Sequence, residues 1–585
     1  MLLIDSRLPL PAPSPHPAAR RRRLSGLRRS VWLLACAAGP AYAQRIAGHG
    51  DDAIQLPKGS WRVRIGGRWD QAAERIDDVT ANGRVPLGAL LARDSLGARA
   101  LPSLAAAEAA ARRLTGLNDL SLSVGQLSAS LTERAVRLPL ALEIGLTRRL
   151  AIGVFVPYVE TRALPDLVLN PTGATGAFGP NPARITGFSA AATANTRALT
   201  RNLGTARSAL RDRLTACLDN AAAFDACSVI LAERAQVEAI LAATATMGAD
   251  LRALYGEAAG TGGAVVPIAG STADRLIGAR LRGLGKDFGR YGVSADTLTA
   301  ASVSFARTRY GTGAVQRLWQ DTAFGVVADS LRPVRRYGMG DVDVTASWLV
   351  IDRITQGNKA PLARFDGPRR FAIRSLLEGG WRFGSAAADR PSDPFDVPIG
   401  AGASALLLRS STDIIFSSRT WLSATARAML PQEDIVLTRL PTSLDPFFAP
   451  VASTVAAQRT LGRSIDVEIA PRAALTNALG LSAVWTWRTR AADRYAVLPT
   501  TPSPNVSLPS GPRSTDGLVA GTAQQEQRLS IGITYSTLAP FARGRSKHAV
   551  ELLYEHSEPL TGSGRFSAFA FDRFEVRWYP GYARR

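Results

Sequence analysis

Beyond its first fifty residues the chain contains no run approaching eighteen consecutive apolar residues, which excludes a helical membrane protein. Lysine is nearly missing too. Only Lys58, Lys286, Lys359 and Lys547 stand among 70 basic residues. An arginine and alanine excess of that kind reflects genome-wide base composition rather than a phosphate-binding face, so the net charge of +22 does not argue for nucleic acid. The basic stretches also lack the interleaved aromatics of a nucleic-acid surface. Gly-rich phosphate loops, HExxH, GxSxG, CxxC and Cys/His metal spacings are all absent, and Gly338-Met339-Gly340-Asp341 is followed by no helical pattern. No cofactor, metal or enzymatic activity is therefore expected. A serine hydrolase would have to use His548 or His556 with a serine such as Ser557, and adjacent residues on a strand point to opposite faces. Charged residues at 20% with ordinary glycine and proline exclude a disordered or collagen-like chain.

What is present begins with an export pattern. Arg20 to Arg23, Arg28 and Arg29 form a cationic stretch, Val31 to Ala38 a short apolar core, and Ala41-Tyr42-Ala43 a small-residue cleavage site. This predicts a signal peptide over 1–43 and a mature start at Gln44. The rival, a lipoprotein signal at Leu33-Leu34-Ala35-Cys36, has only five apolar residues before Cys36 and ranks below it. Processing leaves Cys217 and Cys227, an even pair in an exported protein, for which a disulfide is the default.

From Arg137 to Tyr158 the chain alternates with period two: Leu138, Leu140, Leu142, Ile144 and Leu146, a turn at Thr147–Arg149, then Ile152, Val154, Val156 and Tyr158. That is a hairpin. The alternation recurs along the chain, predicting about twelve strands (range ten to fourteen): 61–69, 120–146, 150–162, 342–351, 370–384, 399–409, 412–429, 463–475, 479–490, 526–536, 547–556 and 566–579. Aromatics such as Trp348, Trp381, Trp485, Trp487, Tyr535, Tyr554 and Trp578 fall near the ends of the apolar faces, where an interfacial girdle would need them. Tight turns at Thr147–Arg149, Ser410–Ser411 and Thr476–Ala478 alternate with long connections at 70–119, 163–341, 430–462 and 491–525. The fold class is thus an all-β transmembrane antiparallel barrel of the outer membrane, with periplasmic termini. A soluble sandwich is the plainer alternative.

With the apolar parity on lipid, the opposite parity lines the lumen: Arg62, Arg64, Glu143, Asp341, Asp343, Arg374, Glu378, Arg382, Arg427, Asp466, Glu468, Arg472, Arg488, Arg528, Glu551, Glu555, Glu575 and Arg577. Rows of arginine and carboxylate of this kind set selectivity in pores. A purely structural ladder is the competing reading, since residues spaced like Arg374, Glu378 and Arg382 neutralise one another. Taken together, the set predicts a wholly or partly water-filled lumen.

The Leu138–Tyr158 hairpin, Gly338-Met339-Gly340-Asp341-Val342-Asp343-Val344, and Asp393-Pro394-Phe395-Asp396-Val397-Pro398-Ile399-Gly400 resemble the transporter-like outer-membrane barrels grouped with the meta-pathway phenol-degradation proteins, distant from the long-chain fatty-acid channels. The resemblance implies passage of small organic or hydrophobic molecules, with outer-membrane lipid, a small solute and the barrel-assembly machinery as partners. The chain departs from the family in the length of 163–341 and in its end, Tyr582-Ala583-Arg584-Arg585, where such barrels end on an aromatic. Trp578 or Tyr579, set back from the end, would serve instead.

The domains expected are 44–162 and 342–585 as barrel strands, with 163–341 as a helix-rich insertion. Over about 184–300 the apolar period changes to three or four: Leu199, Leu203, Leu210 and Leu214, then Ile230, Val237, Ile240, Leu241, Met247, Leu251 and Leu254. Two amphipathic helices follow, with Cys217 ending one and Cys227 beginning the next. The expected function is a passive channel for small organic solutes, in which the insertion is a plug or a recognition element. The alternative is a surface adhesion protein whose barrel only anchors it.

Overall fold

Inside lipid no water is available to satisfy an unpaired N–H or C=O, so strands can cross only if the sheet closes on itself. The computed structural model of the chain meets that demand. It describes residues 52–581 except 78–82, 102–103, 186, 296–297, 299–304, 322–332, 354–370, 388–389, 392–394, 418, 441–448, 450–452, 500–513 and 543. The expected signal segment over 1–43, Asp393-Pro394 and the last four residues lie outside the described residues.

Twelve antiparallel strands form the wall: β1 (Trp61–Ala72), β2 (Val124–Gly145), β3 (Leu150–Ala174), β4 (Val342–Asp352), β5 (Ala372–Phe383), β6 (Ala405–Ile415), β7 (Thr420–Pro431), β8 (Ser464–Ala474), β9 (Leu479–Arg490), β10 (Gln524–Ser536), β11 (Val550–Ser563) and β12 (Ala570–Trp578). Each pairs with its neighbours in sequence, and β1 closes the ring on β12 from Val63↔Trp578 to Gln71↔Ala570. The period-two pleat then sorts side chains by parity. On β1, Ile65 and Trp69 are exposed on the outside while Arg64 and Asp70 are buried within. Trp61, Tyr535 and Trp578 mark the outer face near one rim, and Trp69, Tyr158 and Trp381 near the other. Trp61 and Trp69 lie eight residues apart on one strand. At about 3.3 Å per residue and a tilt near 45°, that is roughly 19 Å along the membrane normal.

Connections differ in length at the two rims. One rim has the turns 146–149, 416–419 and 475–478 together with 353–371 and 537–549, while the other carries 73–123, 175–341, 384–404, 432–463 and 491–523 together with the short 564–569. The expected turn at Ser410–Ser411 is a correction: both residues sit mid-strand in β6, Ser411 fully buried in the lumen. The real turn is 416–419, where Phe416 N–H donates to the Thr420 carbonyl at 3.1 Å. Polar residues in a run look like a turn, but inside a barrel they are simply the inward parity. Strand β3 also outruns its expected end at 162, continuing to Ala174.

With 22 and 25 residues, β2 and β3 are more than twice as long as a crossing requires. Their far halves carry a helical module made of α1 (Ala105–Thr115), α2 (Ser189–Asp219), α3 (Cys227–Ala232), α4 (Arg234–Tyr255), α5 (Thr272–Arg290) and α6 (Thr312–Gln320). Val124 and Leu127 of β2 join Leu199, Leu203, Leu210, Leu251, Leu254 and Phe288 in one apolar core. Buried Asn181 pins the base of the module, its amide donating to the carbonyls of Leu254, Tyr255 and Gly263 at 3.3, 3.3 and 2.8 Å. Tyr310 donates to the Ala264 carbonyl at 2.6 Å, and burial pushes its phenol pKa well up.

Cys217 ends the long helix α2 and is disulfide-bonded to Cys227, which opens α3. Both cysteines are buried in the module's core. Replacing both with serine removes a cross-link worth roughly 3 kcal/mol in the chain-entropy account. Helical signal in thermal circular dichroism should melt earlier in that variant, while the barrel's heat-modifiable migration on gels stays unchanged. Simultaneous loss of both would show that module and wall fold as one unit.

Candidate functional site

Every sequence-expected lumen residue on β1, β2, β4, β5, β7 to β12 points inward, and the structure joins them in a cross-strand lattice. Starting at β4, Arg382 forms a two-pronged pair with Asp343, both contacts at 2.7 Å. Glu378 accepts from Arg409 at 2.6 Å and Asp413 from Arg374 at 3.0 Å. Arg427 grips Glu468 at 2.6 and 2.8 Å, and Arg488 lies between Asp466 (3.5 Å) and Glu526 (3.1 Å). Glu526 also pairs with Arg528. On β11 and β12, Arg577 pairs with Glu575 at 2.6 Å and reaches Glu551 at 3.9 Å, while Arg573 bridges Glu575 and Glu555. Arg64 then binds Glu575 at 3.0 Å and Glu143 at 3.4 Å, and Arg62 closes on Glu143.

Register explains these pairs. Arg62 is directly opposite Glu143, Arg374 opposite Asp413, Glu378 opposite Arg409, Arg382 opposite Asp343 and Glu551 opposite Arg577. Directly opposed side chains on one face of an antiparallel pair are the closest neighbours in a sheet. Asp341 has a different role from the others. It lies at the rim, where its carboxylate accepts the backbone N–H groups of Ala386, Ala401 and Gly402 at 3.1, 2.7 and 3.2 Å. It anchors the 384–404 connection.

Several lattice members escaped the sequence reading: Arg68, Asp70, Arg137, Arg409, Asp413, Glu526 and Arg573. Most share the parity of residues already counted on their strand, and Arg409 and Asp413 were hidden by the misplaced turn. Asp70 pairs with Arg68 at 2.5 Å and with Arg137. The guanidinium of Arg68 stacks 3.7 Å over the inward Phe571 ring, with that of Arg528 at 5.1 Å.

The short-turn mouth is stoppered by a segment that no periodicity announced. Residues 52–60 precede β1 and fold into the barrel, where Ala53, Ile54, Gln55 and Leu56 are buried. Ala53 N–H donates to Asp413 at 3.2 Å, the Gln55 side chain exchanges bonds with Ser347 at 3.2 and 3.3 Å, and Asp52 faces Arg472 at 3.5 Å. Ile54 and Leu56 pack against Leu538, Phe541, Ala549 and Tyr579. Gly145 is required here, because a Cβ would lie 2.1 Å from the Pro57 carbonyl. Further up the lumen a cavity of about 100 Å³ has an apolar wall of Phe155, Leu407 and Met429 facing Arg64, Glu143, Arg409 and Arg427. It is smaller than the cavity of about 150 Å³ known to take one benzene ring.

Catalytic geometry does not form at His556. The ring is exposed on the outer wall, 3.0 Å from Asp572, whereas Ser557 is fully buried inside, bonded to Ser530 at 2.9 Å. Among the described residues no cluster of His, Cys, Asp and Glu is arranged to hold a metal.

An apolar belt outside, a charged interior and closed hydrogen bonding place this wall in an outer membrane. No protein-family model and no curated protein sequence matches the chain. Among solved structures it is similar to the COG4313 outer membrane channel from Pseudomonas putida F1, at 7% identity and TM-score 0.36, covering 90% of this chain and 98% of that one. The P. putida toluene transporter TodX aligns at 10% identity and TM-score 0.22, covering 90% and 89%. The transport unit of the autotransporter AIDA-I from Escherichia coli aligns at 6% and 0.27, covering 89% and 90%. Likeness at that level does not bear on activity.

The Asp343–Arg382 pair offers a direct test of the lattice. Removing one partner leaves a buried charge uncompensated, costing about 3–5 kcal/mol. Asp343→Ala alone should lower the urea midpoint of the folded barrel strongly, and Asp343→Ala with Arg382→Met should recover most of the loss. Additive effects in the double variant would show that the two groups do not interact.

Proposed function

We propose that the chain is a passive channel for small organic or hydrophobic solutes, with Arg62, Arg64, Glu143, Arg374, Glu378, Arg382, Arg427, Asp466, Glu468, Glu551, Glu555, Glu575 and Arg577 lining it. The observation that carries this reading is the cavity walled by Phe155, Leu407 and Met429 against paired arginines and carboxylates. A barrel serving only as an anchor has no use for an amphipathic space above its stopper. TodX is called a toluene transporter, but the proposal rests on this chain's own lumen. Within that class, the resemblance of Gly338–Val344 and Asp393–Gly400 to the meta-pathway phenol-degradation barrels points to small aromatics as cargo. Assembly by the usual machinery would use Trp578, exposed at the end of β12.

The lattice leaves little net field. Its guanidiniums and carboxylates neutralise one another pair by pair, so the pore discriminates by size and apolarity rather than by charge. The lipopolysaccharide leaflet retards hydrophobic probes, which makes whole-cell uptake the decisive measurement. Cells carrying the barrel should take up a hydrophobic fluorescent probe faster than cells without it, and deletion of residues 44–56 should raise both uptake and planar-bilayer conductance severalfold. Equal uptake with and without the barrel, stoppered or not, sinks the channel.

The alternative, a barrel that anchors an adhesive module, draws on the size of the helical insertion. Deleting roughly 184–300 separates the two: surface binding disappears if the module is the working part, and conductance rises if it obstructs the mouth. Sidedness is tested in the same cells. A cysteine at Thr175 should react with an impermeant reagent and one at Arg148 should not; the reverse pattern would invert the topology. Ser503, on another long connection, lies outside the described residues.

A further inference from the structure

The outward parity of β2 and β3 does not stop at the apolar belt. Leu138, Leu140 and Tyr158 are exposed to lipid, and beside them Tyr337 and Met339 of the short strand Val334–Met339. That strand pairs with β3 between Tyr158↔Met339 and Ala163↔Val334. One step further from the membrane centre, the same face carries three arginines on three neighbouring strands. Arg134 is directly opposite Arg162, and Arg162 directly opposite Arg335. With strands about 4.8 Å apart, the three span roughly 10 Å.

Like charges directly opposite one another destabilise a sheet, and the protein compensates these only in part. Among the described residues Glu160 is the carboxylate that pairs with them: it accepts from Arg162 and from two nitrogens of Arg335, the latter at 2.9 Å each. The Arg134 side chain makes no hydrogen bond or ion pair among the described residues and is exposed. Arg335 also lies 5.7 Å over the Tyr337 ring. Three guanidiniums against one carboxylate leave two positive charges just above an aromatic belt, the depth at which lipid phosphates sit. A groove of about 650 Å³ opens beside Arg134 alone of the three, with Trp69, Gln71, Val136 and the carboxylates of Glu74 and Asp572 also in its lining.

The chain's arginine-rich composition does not account for this placement. On the far side of β1 the same outward face turns acidic, with Glu558 and Asp572 around His556. Charge around the rim is therefore sectored, which a general headgroup girdle would not be. We propose that Arg134, Arg162 and Arg335 bind the phosphate-bearing headgroup of a lipid in the leaflet on the long-loop side. The acyl chains would lie along Leu138, Leu140 and Tyr158. Guanidinium forks match phosphate oxygens in two-pronged pairs, and the anion relieves the repulsion that Glu160 leaves. The inference rests on the barrel standing in a bilayer and not on what crosses it.

The test uses the full mature chain in detergent, with bisphosphorylated lipid A and its dephosphorylated form as probes, read by native mass spectrometry. The wild type should prefer the bisphosphorylated lipid at least tenfold, and that preference should fall severalfold between 50 and 200 mM salt. Arg134→Gln/Arg162→Gln/Arg335→Gln should bind both forms alike, with uptake and conductance unchanged. Equal binding of the two lipids by the wild type overturns the proposal, as does a triple variant that keeps the preference. Inorganic phosphate binding as tightly as lipid A would also overturn it, by revealing a free-anion site. Should the triple variant not migrate as a folded barrel, Arg134→Gln alone decides. Its arginine has no protein partner to lose, so about a threefold loss of preference is expected and no change refutes the site.

Discussion

A backbone that crosses hydrocarbon must find all its hydrogen-bond partners within the protein, and in this chain that requirement decides almost everything else. Closure of β1 on β12 removes the last free edge, and each unsatisfied group it spares would cost several kcal/mol in lipid. Closure also divides the pleat into two environments with opposite solvents. Hydrophobic residues go outward, the reverse of a soluble protein, and Ile65, Trp348, Ile531 and Trp578 are exposed for that reason. The polar residues that would ordinarily meet water are turned into a confined space.

Confinement then sets the rule for the interior. A charge buried there without a partner is costly, so the lattice arginines are paired with carboxylates, several in direct register on the next strand and others, such as Arg68 with Asp70 and Arg528 with Glu526, along the same strand. Such pairs are weak evidence for stability, since an apolar replacement of similar volume is often no worse. Their value here is different. An apolar interior would collapse into a core, whereas a lattice of long, paired side chains keeps the two halves of the wall apart and leaves the space bounded by Phe155, Leu407 and Met429. Phe571, held between the guanidiniums of Arg68 and Arg528, shows how apolar surface is accommodated within that lattice.

How much of this was legible in the sequence depended on period. Strict alternation in Leu138–Tyr158, in Val342–Val350 and in Phe574–Trp578 identified wall strands and their inward parity together, because one residue of slip would put arginine into lipid. The same logic failed at Ser410-Ser411-Thr412, where consecutive small polar residues imitate a turn; Arg409 and Asp413, the partners of Glu378 and Arg374, were lost with it. Helical periodicity marked the disulfide-linked part of the insertion but not α1, whose short alanine-rich stretch gains its place only from the core it joins. The stopper was illegible altogether. Nine residues without period, containing Pro57 and Gly59, read as a leader to β1, and only the lumen explains why Ile54 and Leu56 are apolar.

That contrast also orders the molecule by strength. Between β2 and β3 the ladder runs in register from Ala151 to Asn170, while residues 52–56 are tied to the wall by the bonds of Ala53 and Gln55, a 3.5 Å approach of Asp52 to Arg472, and one small apolar cluster. Local opening follows the fewest buried contacts and the fewest protected hydrogen bonds. The wall also cannot part without stranding backbone groups in lipid, whereas the stopper, on leaving, returns its amides to water. The same solvent that forces the barrel shut along its sides thus leaves its short-turn mouth as the part that yields first, and it does so where the lattice ends in Asp413 and Arg472, the two groups the stopper must release.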